Sequence, residues 1–180
     1  MEFRRVVISE FGGPGVLQIR QEPSLPEPGP GQVRVKALAA GLAFTDVMIR
    51  KGEYPDVKEI PPFTPGYDLV GEIDKLGTCV SGWKVGQRAA QLTVIGAQAE
   101  YICLDAADLI PVPHDLDPVR AVSLVLSYTT AYQMLTRKAN VQAGERILVH
   151  GAGGGGGDSS GSVGEIFRPG SVWYSIRTQA

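Results

Sequence analysis

The residues with the clearest chemical meaning are the glycines that follow Arg146-Ile-Leu-Val-His150. That segment reads as a short, nearly continuous apolar strand, the kind buried in a parallel sheet, and Gly151-Ala-Gly-Gly-Gly155 follows it directly. In a strand-to-helix turn, glycine N–H groups can approach a pyrophosphate closely, and the next helix N-terminus adds a favourable dipole. Gly153, Gly154 and Gly155 are therefore candidate phosphate-cradle residues. Gly153–Gly157 is also an unbroken glycine run, which is the composition of a flexible linker. No helical pattern follows it, and no acidic residue ends a second strand to hold a ribose. On the residues alone, cradle and linker both stand.

The metal-ligating and nucleophilic residue types are sparse. Cys79, Cys103, His114 and His150 are the only cysteines and histidines. A structural zinc site needs about four closely organised ligands, and these are scattered singly, so no metal site is expected. Two cysteines do not make a disulfide framework. The formal net charge is -2, which gives no overall electrostatic case for nucleic acid or an anionic membrane. No apolar run reaches the roughly 20 residues of a membrane span. Met1–Ser9 reads as a strand and lacks a signal peptide's apolar region and cleavage site, so the cytoplasm is the expected compartment. Across 180 residues, 43% are hydrophobic and 20% charged, a globular composition.

These residues need elements to hold them. Residues 1–112 read as β-rich. Arg4–Ser9 and Val16–Gln21 are expected to pair through Gly12-Gly-Pro-Gly15. Pro23–Gly31 is a connector, and Gln32–Leu38 alternates as a half-buried strand does. Thr45–Lys51 is a helix candidate with Thr45 as a possible N-cap. Gly52–Pro65 reads as a proline-rich loop. Leu69–Leu76, Trp83–Leu92 and Ala97–Leu104 are further strand candidates, and the many Gly/Pro turns favour a closed or sandwiched β-fold. Asp117–Thr136 then has helical spacing, with Asp117-Pro118 as its start signal, and Val141–Glu145 is a turn. A β-domain, a helix and a buried strand ending in glycines form the entry to a doubly wound α/β domain.

Several segments match a known family in order and spacing. They are Phe11-Gly-Gly-Pro; Pro28-Gly-Pro-Gly-Gln-Val-Arg-Val; Ala40-Gly-Leu-Ala-Phe-Thr-Asp46; Gly52-Glu-Tyr-Pro55; Pro65-Gly-Tyr-Asp-Leu-Val-Gly-Glu72; Val85-Gly-Gln-Arg88; Ala99-Glu-Tyr; Thr130-Ala-Tyr; and Gly144-Glu-Arg-Ile-Leu-Val-His-Gly-Ala. Over about residues 1–157 the chain resembles the medium-chain dehydrogenase/reductase superfamily, in its zinc-independent quinone oxidoreductase and synaptic-vesicle-protein-like branch. The resemblance implies a mainly β fold with some α: a GroES-like β-barrel over 1–113, the first helix and strand of a truncated Rossmann domain over 114–157, and an irregular tail over 158–180. Where zinc-dependent relatives carry a Cys and a His ligand, this chain has Ala43 and Tyr67, neither a normal zinc ligand. The four-Cys structural lobe is also absent after Arg88. The resemblance thus implies metal-free hydride transfer from NADPH to a small quinone or enone.

The same resemblance supplies site candidates, each beside a plainer reading. Phe44 and Asp46 can line a nicotinamide cleft, but Phe44 is also a natural core residue and Asp46 a first-turn acid. Tyr54 is the candidate for a catalytic contact, or an ordinary Tyr before a loop Pro. Thr130 matches a position near the nicotinamide carboxamide, or is a helical Thr bonding backward. Ala43 stands where quinone oxidoreductases often have Asn, which removes one possible cofactor amide. The tail from Gly156 is expected to stem from a shifted reading frame, since a one-base shift with freely chosen codons restores an amphipathic helix and second strand. Sequencing the coding DNA across Gly153–Gly157 checks this. Two other readings accompany the oxidoreductase: a non-enzymatic binding or assembly module, and an inactive product in which Arg146–His150 is an orphan strand with unpaired edges. Substrate identity and oligomeric state stay open.

Overall fold

A computed structural model describes residues 1–142, 145–150 and 171–175 of the chain. The chain divides into two compact units, Met1–Val125 and Leu126–Ala180.

In the first unit, β1 (Phe3–Ile8) and β2 (Leu17–Glu22) form the expected antiparallel hairpin, from Phe3 opposite Glu22 to Ile8 opposite Leu17. Its connection contains a 3-10 turn at Pro14–Val16. A five-stranded antiparallel sheet follows, in the order β6-β3-β4-β5-β7. Its strands are β3 (Gln32–Ala40), β4 (Asp68–Leu76), β5 (Arg88–Leu92), β6 (Tyr101–Asp105) and β7 (Ile110–Pro111). Isolated bridges at Arg5↔Ala99 and Ile8↔Phe63 tie the hairpin to the segments that lead into β6 and β4.

Alternating residues build the core. Val33, Val35, Leu69 and Ile73 are fully buried and pack with Ala89, Ala97, Leu104 and Leu109. A second cluster on the other side joins Val70 and Ala90 to Ala121 and Val122 of α2 (Pro118–Ser123). Gly71 allows this packing, because a Cβ there would overlap Val35 and lie 2.5 Å from the Lys36 carbonyl oxygen. Arg34 pins the Pro23–Gly31 connector to the sheet. Its guanidinium is 2.5 Å from Asp74 and donates to the Pro26 carbonyl at 3.1 Å.

Three local expectations need correction. Helix α1 is Phe44–Lys51 with Ala43, not Thr45, at the N-cap. Thr45 Oγ1 is buried and has no partner among the described residues. The strand read at Trp83–Leu92 begins only at Arg88. Before it, Gln87 N–H donates to the Lys84 carbonyl and Gly86 takes φ 86°, a turn that no strand can contain. The strand read at Ala97–Leu104 begins at Tyr101 and runs to Asp105, because 97–100 bond instead to β1 and the Pro65–Gly66 turn.

The helical run covers 118–138. Asp117 caps it as expected, accepting the Arg120 N–H at 3.0 Å. In the second unit it includes α3 (Thr129–Gln133) and a wider, i→i+5 turn at Met134–Lys138. Asn140 at φ 48° follows its end. Strand β8 (Arg146–His150) pairs in parallel with β9 (Ser171–Ser175). Parallel pairing was expected for β8, but burial was not found at Leu148, which is 61% exposed. The pairing also corrects the picture of β8 as an orphan strand. The stretch from Asp158, read as irregular, holds β9, whose Val172-Trp-Tyr core is strongly strand-forming. The rest of that stretch lies outside the described residues.

Candidate functional site

Helix α1 and the turn before β4 bring the first unit's candidate residues together. Ala43 has no side-chain oxygen with which to cap the helix. Asp46, at the third helical position, compensates by accepting the Ala43 N–H at 2.8 Å. Its side chain is buried. Burial pushes the Asp46 carboxyl above its ordinary value, opposed by backbone N–H groups of Ala43, Asp46 and Gly66. The structure therefore shows Asp46 in the first-turn role, holding the start of α1. Phe44 falls on the opposite side of the helix from Asp46 and Ile49, the buried pair. It is 75% exposed, so the core-packing alternative for Phe44 is overturned.

At its other end, α1 closes on Gly52 at φ 74°, whose N–H donates to the Ile49 carbonyl at 3.0 Å. Phe11 packs over Gly52 and meets Phe63 edge to face at 6.4 Å. This turn sends the chain back so that Tyr54 reaches Tyr67. The two hydroxyls are 2.9 Å apart, and the rings meet edge to face at 5.9 Å.

Tyr67 is held from behind. Its carbonyl accepts the N–H groups of Thr93 at 2.8 Å and Val94 at 3.1 Å. The preceding Gly66 sits at φ 113°, where a Cβ would lie 2.5 Å from the Gln98 amide nitrogen. Only glycine fits that position. The Tyr67 side chain is buried, whereas Tyr54 is partly exposed. The Tyr67 hydroxyl is pushed up to about 12, chiefly by burial and then by its hydrogen bond to Tyr54, with the Tyr54, Asp56 and Asp46 charges adding. At neutral pH it keeps its proton, and either hydroxyl of the pair can be the donor.

The remaining candidates do not belong to the first unit. Thr130 is exposed on α3, in the second unit. Gly153, Gly154 and Gly155 lie outside the described residues. Among the described residues no group of three or more His, Cys, Asp and Glu is placed to hold a metal. Cys79 is an exposed free thiol, and burial raises the pKa of the half-buried Cys103. A separate open groove of about 770 Å³ runs along the first unit, lined by Val6, Leu17, Ile19, Leu38, Leu42 and Ala99 among others, and it does not include Tyr54 or Tyr67.

Sequence reasoning took Tyr67 only as the absence of a zinc ligand. The Tyr-Tyr pair it forms is a tertiary contact, and the available signal was a second tyrosine in the quoted Pro65-Gly-Tyr segment.

This antiparallel barrel with a crossing helix is the fold of an alcohol dehydrogenase GroES-like domain, whose family model matches residues 29–114. The chain is 39% identical over 155 residues to the quinone oxidoreductase of Lama guanicoe, covering 86% of this chain and 47% of that protein. It is 34% identical over 158 residues to the synaptic vesicle membrane protein VAT-1 homolog-like of Mus musculus, covering 88% and 37%. The crystal structure of human synaptic vesicle membrane protein VAT-1 homolog-like protein superposes with a TM-score of 0.90 at 32% identity, covering 99% of this chain and 57% of that one. Residues 29–114 thus belong to the alcohol dehydrogenase GroES-like domain family, and the chain as a whole is similar to quinone oxidoreductases and VAT-1 homologues of the medium-chain dehydrogenase/reductase superfamily. It spans less than half the length of the curated relatives it matches.

Proposed function

We propose that these residues form the substrate side of an NADPH-dependent oxidoreductase that reduces quinones or activated alkenes and carbonyls without a metal. The observation that carries this reading is the Tyr54–Tyr67 hydroxyl pair at 2.9 Å, in which Tyr67 stands at the motif position that the family resemblance gives to a histidine zinc ligand. A polar substrate oxygen there would meet a phenol hydroxyl in place of a metal ion.

NADPH would supply the hydride when bound. In the first unit, Phe44 offers an exposed ring that would meet the nicotinamide; in the second unit, taken by itself, Thr130 is an exposed helical residue matching a cofactor-contacting position of the family. Gly153, Gly154 and Gly155 would take the pyrophosphate, and Asp46 would act by holding α1 in place. In the first unit, Tyr54 would donate to the substrate's carbonyl oxygen, polarising it as charge develops. No side chain needs to deliver a proton, since water can supply it. The free thiols Cys79 and Cys103 suit a reducing compartment, so the cytoplasm is the proposed location. The partner is a small molecule, with no nucleic acid involved. Among the described residues no helix is long and apolar enough to cross a membrane.

Hydride transfer requires the nicotinamide to be held against the substrate. These 180 residues alone are therefore expected to bind an enone but to consume negligible NADPH. The test pairs an NADPH-oxidation assay using 1,4-benzoquinone with an NMR titration using 2-cyclohexen-1-one. Enone binding without turnover supports the reading. Measurable turnover overturns the incomplete-cofactor-site part, and absence of enone binding overturns the substrate-side part. A binding-module role is favoured instead if the open groove takes up ligand while neither NADPH nor enone binds.

A further inference from the structure

We infer that Tyr67 is a positioning residue: it donates its hydroxyl proton to Tyr54 and so leaves the Tyr54 proton free for a carbonyl-bearing substrate. This rests on the proposed function and adds a residue and a direction to it. A phenol has one proton to donate. Tyr67 is buried, and its hydroxyl has Tyr54 as its hydrogen-bond partner at 2.9 Å. Leaving a buried donor unsatisfied is costly. The half-exposed Tyr54 can turn to solvent or ligand, whereas the buried Tyr67 hydroxyl has no second hydrogen-bond partner among the described residues. The arrangement that satisfies both hydroxyls therefore runs from Tyr67 to Tyr54 to the open side.

The surroundings agree with this direction. The nearby carboxylates of Asp56 and Asp46 disfavour a Tyr67 phenolate, so Tyr67 keeps its proton. The carbonyl bonds from Thr93 and Val94 and the Gly66 turn fix the Tyr67 backbone. The edge-to-face ring contact limits how far Tyr54 can swing. Accepting a bond also makes the Tyr54 hydroxyl a better donor, because linked hydrogen bonds polarise one another. The ligand class follows. The site favours a conjugated carbonyl, which has an oxygen to accept the bond, over an alkene of the same shape without one.

The test uses the full 180-residue chain with ¹³C-labelled tyrosine. In the first measurement the solvent exchange of the Tyr67 hydroxyl proton is followed, through the deuterium isotope shift on its labelled ζ carbon, in the wild type and in Tyr54→Phe. If Tyr67 is the donor, removing its acceptor speeds that exchange several-fold. If Tyr54 is the donor, the Tyr67 proton exchanges at the same rate in both, and the inference is overturned. In the second, 2-cyclohexen-1-one is titrated, with methylenecyclohexane as the control lacking an acceptor. Tyr67→Phe is expected to weaken enone binding about three- to tenfold, the scale of one hydrogen bond, and to leave the control unchanged. Wild-type affinity in Tyr67→Phe, with a loss in Tyr54→Phe, would overturn the Tyr67 role and leave the proposed function standing. Equal affinity in wild type and Tyr54→Phe would overturn both. Should Tyr67→Phe fail to fold, the Tyr67 hydroxyl-proton exchange in wild type and Tyr54→Phe decides the donor direction alone.

Discussion

The two units of the chain solve the burial problem differently. In Met1–Val125, alternating strands carry Val33, Val35, Leu69, Val70 and Ile73 to complete burial. In the second unit, Ala131 is the buried apolar residue among those described, while Leu148, Met134 and Tyr132 are 61%, 56% and 49% exposed. The first unit thus has a core of its own. The described part of the second has a helical run and a parallel strand pair but little buried apolar packing. Hydrogen bonding alone makes strands and helices; close-packed apolar side chains make them resist opening.

The sharpest test of this contrast is amide hydrogen exchange. Amides of β3 and β4 are expected to be protected at least ~10³-fold more than those of β8, since local opening free energies track buried packing. Equal protection in the two regions would break the comparison.

Mutations in the two regions should differ next. Ile73→Ala is expected to cost about 2–5 kcal/mol, measured by urea unfolding followed at Trp83, whose indole donates to the Ala106 carbonyl at 3.0 Å. Leu148→Ala removes a mostly exposed side chain and is expected to cost under about 0.5 kcal/mol. Similar losses at the two sites would mean that β8 is better packed than its exposure indicates.

Asp46 gives a smaller and more discriminating effect. Asp46→Ala removes the group that accepts the Ala43 N–H, an expected loss of about 1 kcal/mol. Asp46→Asn keeps an acceptor and removes a buried charge. Because the folded-state carboxyl is raised, the folded chain binds this proton more readily than the unfolded one. Asp46 therefore favours folding most below its unfolded pKa, and that contribution is lost as pH rises through the folded value. At pH 7, Asp46→Asn is expected to match or slightly exceed wild-type stability and to lose that advantage on acidification. An Asp46→Asn penalty equal to that of Asp46→Ala at pH 7 would show that the charge itself is needed.

Much of this fold was legible in the sequence where the cause is local. The β1–β2 hairpin, β3, β4, α1, the Asp117 cap and the parallel strand β8 all follow from alternation, turn residues or capping chemistry. The failures have tertiary causes. Trp83–Gln87 reads as strand by composition, but the Trp83 indole is anchored to Ala106 and Gly86 turns the chain. Thr45 looks like a cap, yet the helix starts one residue earlier, with Asp46 reaching back to Ala43. Phe44 looks like core, but α1 is too short to bury two faces and turns Asp46 and Ile49 inward. Of the site, Tyr54 was visible as a residue and its partner was not. Their contact depends on how the Gly52 turn and the Gly66 turn meet, which no local pattern records.

The most direct test of the account is to map where 2-cyclohexen-1-one binds the wild-type chain by NMR, without NADPH. The expected result is a saturable shift centred on Tyr54, Tyr67 and Phe44. Saturation along the groove lined by Leu17, Ile19 and Leu42, with Tyr54 unmoved, would contradict it.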